Sequence, residues 1–303
     1  MGPEVKELQC KGPLGFEVGT VRLGHGAPLA LVAGPCVIES RVQVMEVAAA
    51  LVEITKELSM PLIFKASYDK ANRTSLSSYR GPGLQAGLDI LGEVRETYGV
   101  PVLSDVHCKE EVEVAASTLD VIQIPAFLCR QTDLVVSAAR TGRAINVKKG
   151  QFLAPWDVAP IMEKIRSQGN HRILISERGS CFGYNQLVVD FRSLVVLRGL
   201  GAAVVFDATH SVQLPGGLGG ASGGQRHFVP ALARAAAAVG VDALFMEVHP
   251  DPDRALCDGP NSLPLGGLKG TLKEILAIDE IVRENLGLTG VPQPSDGERP
   301  AGA

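Results

Sequence analysis

Along the chain, short runs of apolar and β-branched residues alternate with longer segments in which apolar positions recur every three or four residues. The short runs, at 29–38, 62–67, 101–106, 121–126, 144–148, 173–177, 203–208 and 243–248, predict eight strands. The longer segments predict helices over 42–58, 84–98, 109–117, 132–140, 156–168 and 229–239, with 268–284 closing the set. Such alternation marks βαβ units around a parallel sheet, because each parallel strand has to be reached through a crossover.

Eight units follow one another without a break in composition, and no G-x-G-x-x-G comes after the first strand, as an open dinucleotide-binding sheet would need. The expected fold is therefore α/β, a (β/α)8 TIM barrel. The stretch 16–24, with Val18, Val21 and Leu23 as its apolar positions, predicts an N-terminal β-hairpin plugging one end. Residues 1–288 are expected to form a single catalytic barrel domain, and the polar, Pro/Gly-rich residues 289–303 a disordered tail.

Composition narrows the choice of function more than that of fold. A chain of 303 residues, 46% hydrophobic and 20% charged, suits a globular protein with one sizeable core. Its start is polar and no run of about 18 apolar residues occurs, so neither secretion nor membrane spanning is expected, and the location is expected to be cytoplasmic. Six cysteines without paired spacing point to reduced thiols rather than a disulfide framework. A net charge of −4 argues against nucleic acid as a partner.

The chemistry gathers at the C-terminal ends of the expected strands, the face where barrels of this type build active sites. In chain order these ends carry Cys36 and Glu39, Lys65 with Asp69 and Lys70, Asp105 and His107, Gln123, Asn146 and Lys148, Glu177 and Arg178, Asp207 and His210, and Glu247 and His249. Two long glycine-bearing loops, 211–227 and 251–266, fall on the same face. Cys36, His210 and Glu247 come from strands that become neighbours on closure, and Asp258 follows the last of them. A thiolate, an imidazole and two carboxylates can hold Zn²⁺, Fe²⁺, Co²⁺ or Mn²⁺ without choosing among them. The competing reading makes Cys36 a small buried apolar residue, His210 a hydrogen-bonded core imidazole and Glu247 a partner for a lysine, with His107, Cys108 and His249 as rival ligands. Lys65, Lys70, Arg73, Lys148 and Arg178 crowded into one mouth imply an anionic ligand, phosphate or carboxylate, since pairing with Asp69, Asp105 and Glu177 accounts for only part of the charge.

Four strings carry a family resemblance: Ala33-Gly-Pro-Cys-Val-Ile-Glu-Ser, Phe64-Lys-Ala-Ser-Tyr-Asp-Lys-Ala-Asn-Arg-Thr-Ser, Asp120-Val-Ile-Gln-Ile-Pro-Ala-Phe-Leu-Cys-Arg-Gln-Thr-Asp and Asn146-Val-Lys-Lys-Gly-Gln-Phe. With Glu177-Arg-Gly, Phe206-Asp-Ala-Thr-His-Ser-Val-Gln and Glu247-Val-His-Pro, they resemble the 3-deoxy-D-manno-octulosonate 8-phosphate synthases over nearly the whole chain. The resemblance implies a homotetrameric barrel that condenses phosphoenolpyruvate with D-arabinose 5-phosphate and water for lipopolysaccharide (Kdo) biosynthesis, releasing phosphate. The related 3-deoxy-7-phosphoheptulonate synthases, which take erythrose 4-phosphate, typically read Lys-Pro-Arg-Thr where this chain has Lys70-Ala-Asn-Arg-Thr, so Ala71 and Asn72 favour the five-carbon aldehyde. A catalytically silent sugar-phosphate-binding barrel is the distant alternative.

Carried over by the same resemblance, Lys148 and Arg178 clamp the phosphoenolpyruvate phosphate, while Lys65, Ser67, Lys70 and Gln123 surround its carboxylate and enol carbons. Arg73 and Thr74 resemble the aldehyde's phosphate site, with serine commoner than Thr74 in the family. Asn72 and Asp105 touch sugar hydroxyls, Gln213 adds a substrate contact, and Arg130 reaches a neighbouring subunit's site. Cysteine rather than asparagine at position 36 resembles the metal-dependent class, which implies one divalent ion on Cys36, His210, Glu247 and Asp258 and no organic cofactor. Cys36, Lys70, His210 and Asp258 then stand as the catalytic positions, with His210 or Asp258 assisting proton movement and a Schiff base on Lys70 as the less favoured route.

Overall fold

The computed structural model describes residues 15–24, 26–217 and 222–285, so the polar start, the glycines at 219 and 220 and the tail expected at 289–303 lie outside the described residues. Eight parallel strands form the sheet: β1 (Ala30–Gly34), β2 (Leu62–Lys65), β3 (Val102–Asp105), β4 (Val121–Ile124), β5 (Ala144–Lys148), β6 (Ile173–Glu177), β7 (Ala203–Asp207) and β8 (Ala243–His249). Each pairs with the next, and β8 pairs with β1, Ala243 opposite Ala30 and Glu247 opposite Gly34, so the sheet closes on itself. The crossovers are α1 (Arg41–Glu57), α2 (Leu84–Tyr98), α3 (Lys109–Thr118), α4 (Thr132–Arg140), α5 (Ala159–Arg166), α6 (Arg192–Gly199) and α7 (Val229–Val239), and α8 (Leu265–Asn285) completes the outer ring. This is the expected (β/α)8 barrel.

Strand pleating divides the core in two. On β1, Leu31 and Ala33 join the larger apolar cluster between sheet and helices, whereas Ala30 and Val32 face inward with Ile63, Leu103, Val121, Leu174, Val205 and Phe245. The expected hairpin is present, with Phe16–Val18 antiparallel to Val21–Leu23. Its Val18, Val21 and Leu23 belong to the inner cluster and stopper the N-terminal end of the barrel. The turn runs through Gly19 at φ 55°, where a Cβ would also sit 2.9 Å from the ring of Pro101.

Differences from the expected spans have local causes. The first strand stops at Gly34 because Pro35 has no N–H for the ladder, and the chain turns there into the mouth carrying Cys36. Gly34 itself admits no side chain, since a Cβ would lie 1.9 Å from the carbonyl oxygen of Lys65. That close approach brings Cys36 and Lys65 together. The fifth helix is preceded by a 3₁₀ turn at Pro155–Val158 and starts at Ala159 with proline in its first turn. Helix α6 falls where the sequence pattern predicts no clear helix, and two short hairpins, Ser180–Cys181 with Leu187–Val188 and Gln213–Leu214 with Gly223–Gly224, are additions beside the mouth.

Candidate active site

A cavity of about 320 Å³ opens at the C-terminal ends of the strands. Strand by strand it receives Lys65, Asp105, Gln123, Lys148, Asp207 and Glu247, with Arg178 one residue past β6. Loops add Lys70, Asn72, Arg73, Thr74, His107, His210, Gln213 and Asp258. Of the sequence-derived site residues, Cys36 lies just behind the wall and is buried, Ser67 is buried behind Asp105, and Arg130 is exposed outside the cavity.

Most of the charges in the wall are tied to one another. Lys65 Nζ donates to Glu247 Oε1 at 2.7 Å and to the Cys36 carbonyl at 2.8 Å, fully buried. Lys148 pairs with Asp207 and lies over the Phe245 ring. Ser67 Oγ donates to Asp105 Oδ2 at 2.6 Å, Gln123 Nε2 donates to Oδ1, and Gln123 Oε1 accepts from Asn146 at 2.7 Å, whose own oxygen accepts from Ser176 at 2.8 Å. This polar ladder across β3 to β6 fixes Asp105 without any ligand. Arg178 is different: Nη2 donates to Gln213 Oε1 at 2.9 Å, while the buried Nη1 has no hydrogen-bond partner among the described residues. A buried guanidinium with a free arm is costly unless an anion takes it.

The field inside the mouth follows from these pairings. Burial lowers the Lys148 pKa to about 8 despite the opposing pull of Asp207. Burial also works against the carboxylates, yet neighbouring cations outweigh it: Lys70 and Lys65 hold Asp105 well below the usual carboxylate range, and His210 and Lys148 do the same for Asp207. His210 is pushed up to about 9, burial opposing the charged ring but losing to Asp207 and Glu247. Lys70 stands 4.0 Å from Asp105 and 3.9 Å from Glu247, and despite burial its ammonium is held well above the ordinary lysine range by Cys36, Glu247 and Asp105.

The four residues proposed as metal ligands converge. His210 Nε2 lies 3.6 Å from Asp258 Oδ2 and 3.7 Å from Glu247 Oε2, and Cys36 Sγ donates to Asp258 Oδ2 at 3.5 Å. Potential ligand atoms of His210, Glu247 and Asp258 fall within 4.8 Å of one another, as do those of Cys36, Cys257 and Asp258. Glu247 Oε2 is buried with no hydrogen-bond partner among the described residues, which a cation would remedy. The donor set thus fits a borderline divalent ion. Burial and Cys257 push the Cys36 thiol up, so its thiolate form needs a cation beside it. His210 Nδ1 sits 2.8 Å from Asp207 Oδ2, the outer contact that orients a ligating imidazole. The rivals join neither cluster: His249 is engaged by Gln43 at 2.7 Å and Glu39 at 3.4 Å, Cys108 is exposed, and His107, though on the cavity wall, has Nδ1 3.4 Å from Glu111.

Two further residues of this site stand outside the set that the sequence pattern points to. Cys257 is buried beside Cys36 and accepts from Arg73 Nη1 at 2.6 Å, and Phe245 forms the apolar floor under Lys65 and Lys148. Cys257 precedes the proposed ligand Asp258, which was its only available signal. Phe245 reads from sequence as ordinary strand core.

A closed barrel whose mouth gathers buried cations, with one guanidinium nitrogen of Arg178 lacking a partner among the described residues, defines a (β/α)8 enzyme with a site suited to anions. By sequence the chain belongs to the DAHP synthetase I family, whose profile matches residues 6–284. Among its relatives are the 2-dehydro-3-deoxyphosphooctonate aldolases of Syntrophotalea carbinolica, 62% identical over 270 residues (89% of this chain, 98% of the relative), and of Geotalea uraniireducens, 62% identical over 268 residues (88% and 98%). That of Geobacter metallireducens is 60% identical over 266 residues (88% and 98%).

Proposed function

We propose that this enzyme condenses phosphoenolpyruvate with D-arabinose 5-phosphate and water to give 3-deoxy-D-manno-octulosonate 8-phosphate and inorganic phosphate, a step of lipopolysaccharide biosynthesis. The observation that carries the reading is the cluster of Lys65, Lys70, Lys148 and Arg178 in one cavity with Arg178 Nη1 unpaired, in a chain with 62% identity to a 2-dehydro-3-deoxyphosphooctonate aldolase. Lys148 and the free arm of Arg178 take the phosphate of phosphoenolpyruvate, and Lys65, Lys70 and Gln123 its carboxylate. Arg73, Thr74 and Asn72 on the loop after β2 take the aldehyde's phosphate and hydroxyls. Holding both ends brings C3 of phosphoenolpyruvate to the aldehyde carbon, an effect worth roughly 7–11 kcal/mol in well-oriented systems. C3 bonds to that carbon, water adds at C2, the aldehyde oxygen gains a proton, and the resulting intermediate expels phosphate by carbon–oxygen cleavage.

Asp105, already held by Ser67 and Gln123, is a fixed carboxylate for the sugar hydroxyls. Lys70, kept as an ammonium beside Asp105, offers no free amine for a Schiff base and acts by charge. Cys36, His210, Glu247 and Asp258 would hold one Zn²⁺, Fe²⁺, Mn²⁺ or Co²⁺ ion, which when bound supplies Lewis acidity toward a carbonyl oxygen or a water. A cytoplasmic homotetramer is part of the same proposal, supported by the absence, among the described residues, of a helix long and apolar enough to cross a membrane, and by exposed Phe127, Phe152, Trp156, Phe182 and Tyr184 as apolar surface for a second copy.

Phosphate release from phosphoenolpyruvate is the test. It should need D-arabinose 5-phosphate, fall sharply with erythrose 4-phosphate, vanish on chelation and return with Mn²⁺ or Zn²⁺. Release that prefers erythrose 4-phosphate would overturn the aldehyde assignment, and release indifferent to chelator would overturn the metal.

A further inference from the structure

We propose that Gln213 is a positioning residue that assembles the anion clamp and the metal-ligand set as one unit. This rests on the reading of the mouth given above. Gln213 lies just past β7, between Arg178 at the end of β6 and Asp258 on the loop after β8, and is almost fully buried. Its Oε1 accepts from Arg178 Nη2 at 2.9 Å, and its Nε2 donates to Asp258 Oδ1 at 3.3 Å. A guanidinium has no acceptor and a carboxylate no donor, so the amide can stand here in only one orientation. Glutamate in its place could serve Arg178 but would repel Asp258, and lysine the reverse. Asparagine is a methylene too short to reach both.

The two contacts leave Arg178 Nη1 and Asp258 Oδ2 for the other groups of the mouth. Arg178, with Nη2 occupied, keeps Nη1 unpaired for an anion. Asp258, with Oδ1 occupied, keeps Oδ2 toward His210 Nε2 at 3.6 Å and Cys36 Sγ at 3.5 Å. Asp258 stands at φ 49°, where a non-glycine residue is uncommon, and its carbonyl accepts from Asn261 N at 3.0 Å and Ser262 N at 3.1 Å. The backbone is thus pinned, and Gln213 holds Oδ1, the carboxylate oxygen that Cys36 and His210 leave. A chain of hydrogen bonds from guanidinium through amide to carboxylate also strengthens each of its links.

The experiment compares wild type with Gln213→Met, which keeps the shape and loses both contacts, and with the conservative Gln213→Asn. Calorimetric titration measures Mn²⁺ binding to the substrate-free, chelator-stripped protein, and inorganic phosphate binding separately. Gln213→Met should bind Mn²⁺ about tenfold or more weakly, the usual cost of losing a ligand's outer partner, and phosphate severalfold more weakly. Gln213→Asn should lose at least one of the two affinities while melting like wild type. A residue that only fills space would shift the melting temperature and leave both affinities alone. Both variants binding both probes within twofold of wild type overturns the inference, as does a Gln213→Met effect confined to one probe. Wild type that takes up no Mn²⁺ overturns the metal reading and this inference with it, whereas normal wild-type uptake with unchanged variants overturns this inference alone.

Discussion

Two arginines are buried at opposite ends of the barrel, and they do opposite things. Arg283, near the end of α8 at the N-terminal end, donates Nε to Asp279 at 2.6 Å, Nη1 to the Ala27 carbonyl and Nη2 to the Val241 carbonyl at 3.1 Å. All three of its nitrogens are used, tying helix to barrel wall beside the hairpin stopper. Arg178 at the mouth is as deeply buried and keeps Nη1 without a partner. Burial of charge is therefore not the mark of a site in this fold. The mark is an unfinished hydrogen-bond shell on the cavity wall, as at Arg178, since Asp279 Oδ1 beside Arg283 also lacks a partner among the described residues but does not line that cavity.

The largest contrast should come from removing each arginine in turn. Arg283→Met leaves Asp279 buried without its cation and should destabilise the fold by about 3–5 kcal/mol, read by denaturant melts, with KM for phosphoenolpyruvate unchanged. Loss of substrate affinity in that variant would break the comparison. Arg178→Ala should do the reverse, lowering kcat/KM for phosphoenolpyruvate about 10²–10³-fold, on the order of 2.7–4 kcal/mol as for a deleted oxyanion donor, with little change in melting temperature.

A smaller effect sharpens the mouth side alone. Lys148 binds phosphate only as an ammonium, and burial brings its pKa down from 10.5 to about 8. Phosphate affinity should therefore weaken as pH rises above about 8, approaching tenfold per unit, where an ordinary lysine would hold it level to beyond pH 10. Inorganic phosphate binding titrated calorimetrically from neutral to alkaline pH checks this, and a flat profile would remove Lys148 from the clamp.

The alternation of short apolar runs with helical periods fixes the eight-fold repeat in the sequence itself, because parallel strands and their crossovers leave a period that can be counted. The polar residues at strand ends are legible for the same reason: Lys65, Lys148 and Glu247 stand where β2, β5 and β8 deliver them. Helix α6 was harder to see, since its eight residues span little more than two turns and its core contacts rest on Ser193, Leu194 and Leu197. What the sequence could not show is which charges are already satisfied. Arg178 and Arg283 read alike as letters. Arg283 meets a carboxylate four residues back on its own helix and two carbonyls from distant segments, while Arg178 meets a single amide, so closure of the barrel decides which of them is left to bind. Cys257 beside Cys36 and Gln213 between Arg178 and Asp258 belong to the same category, for these neighbours lie tens to hundreds of residues apart along the chain and are joined only by the tertiary fold.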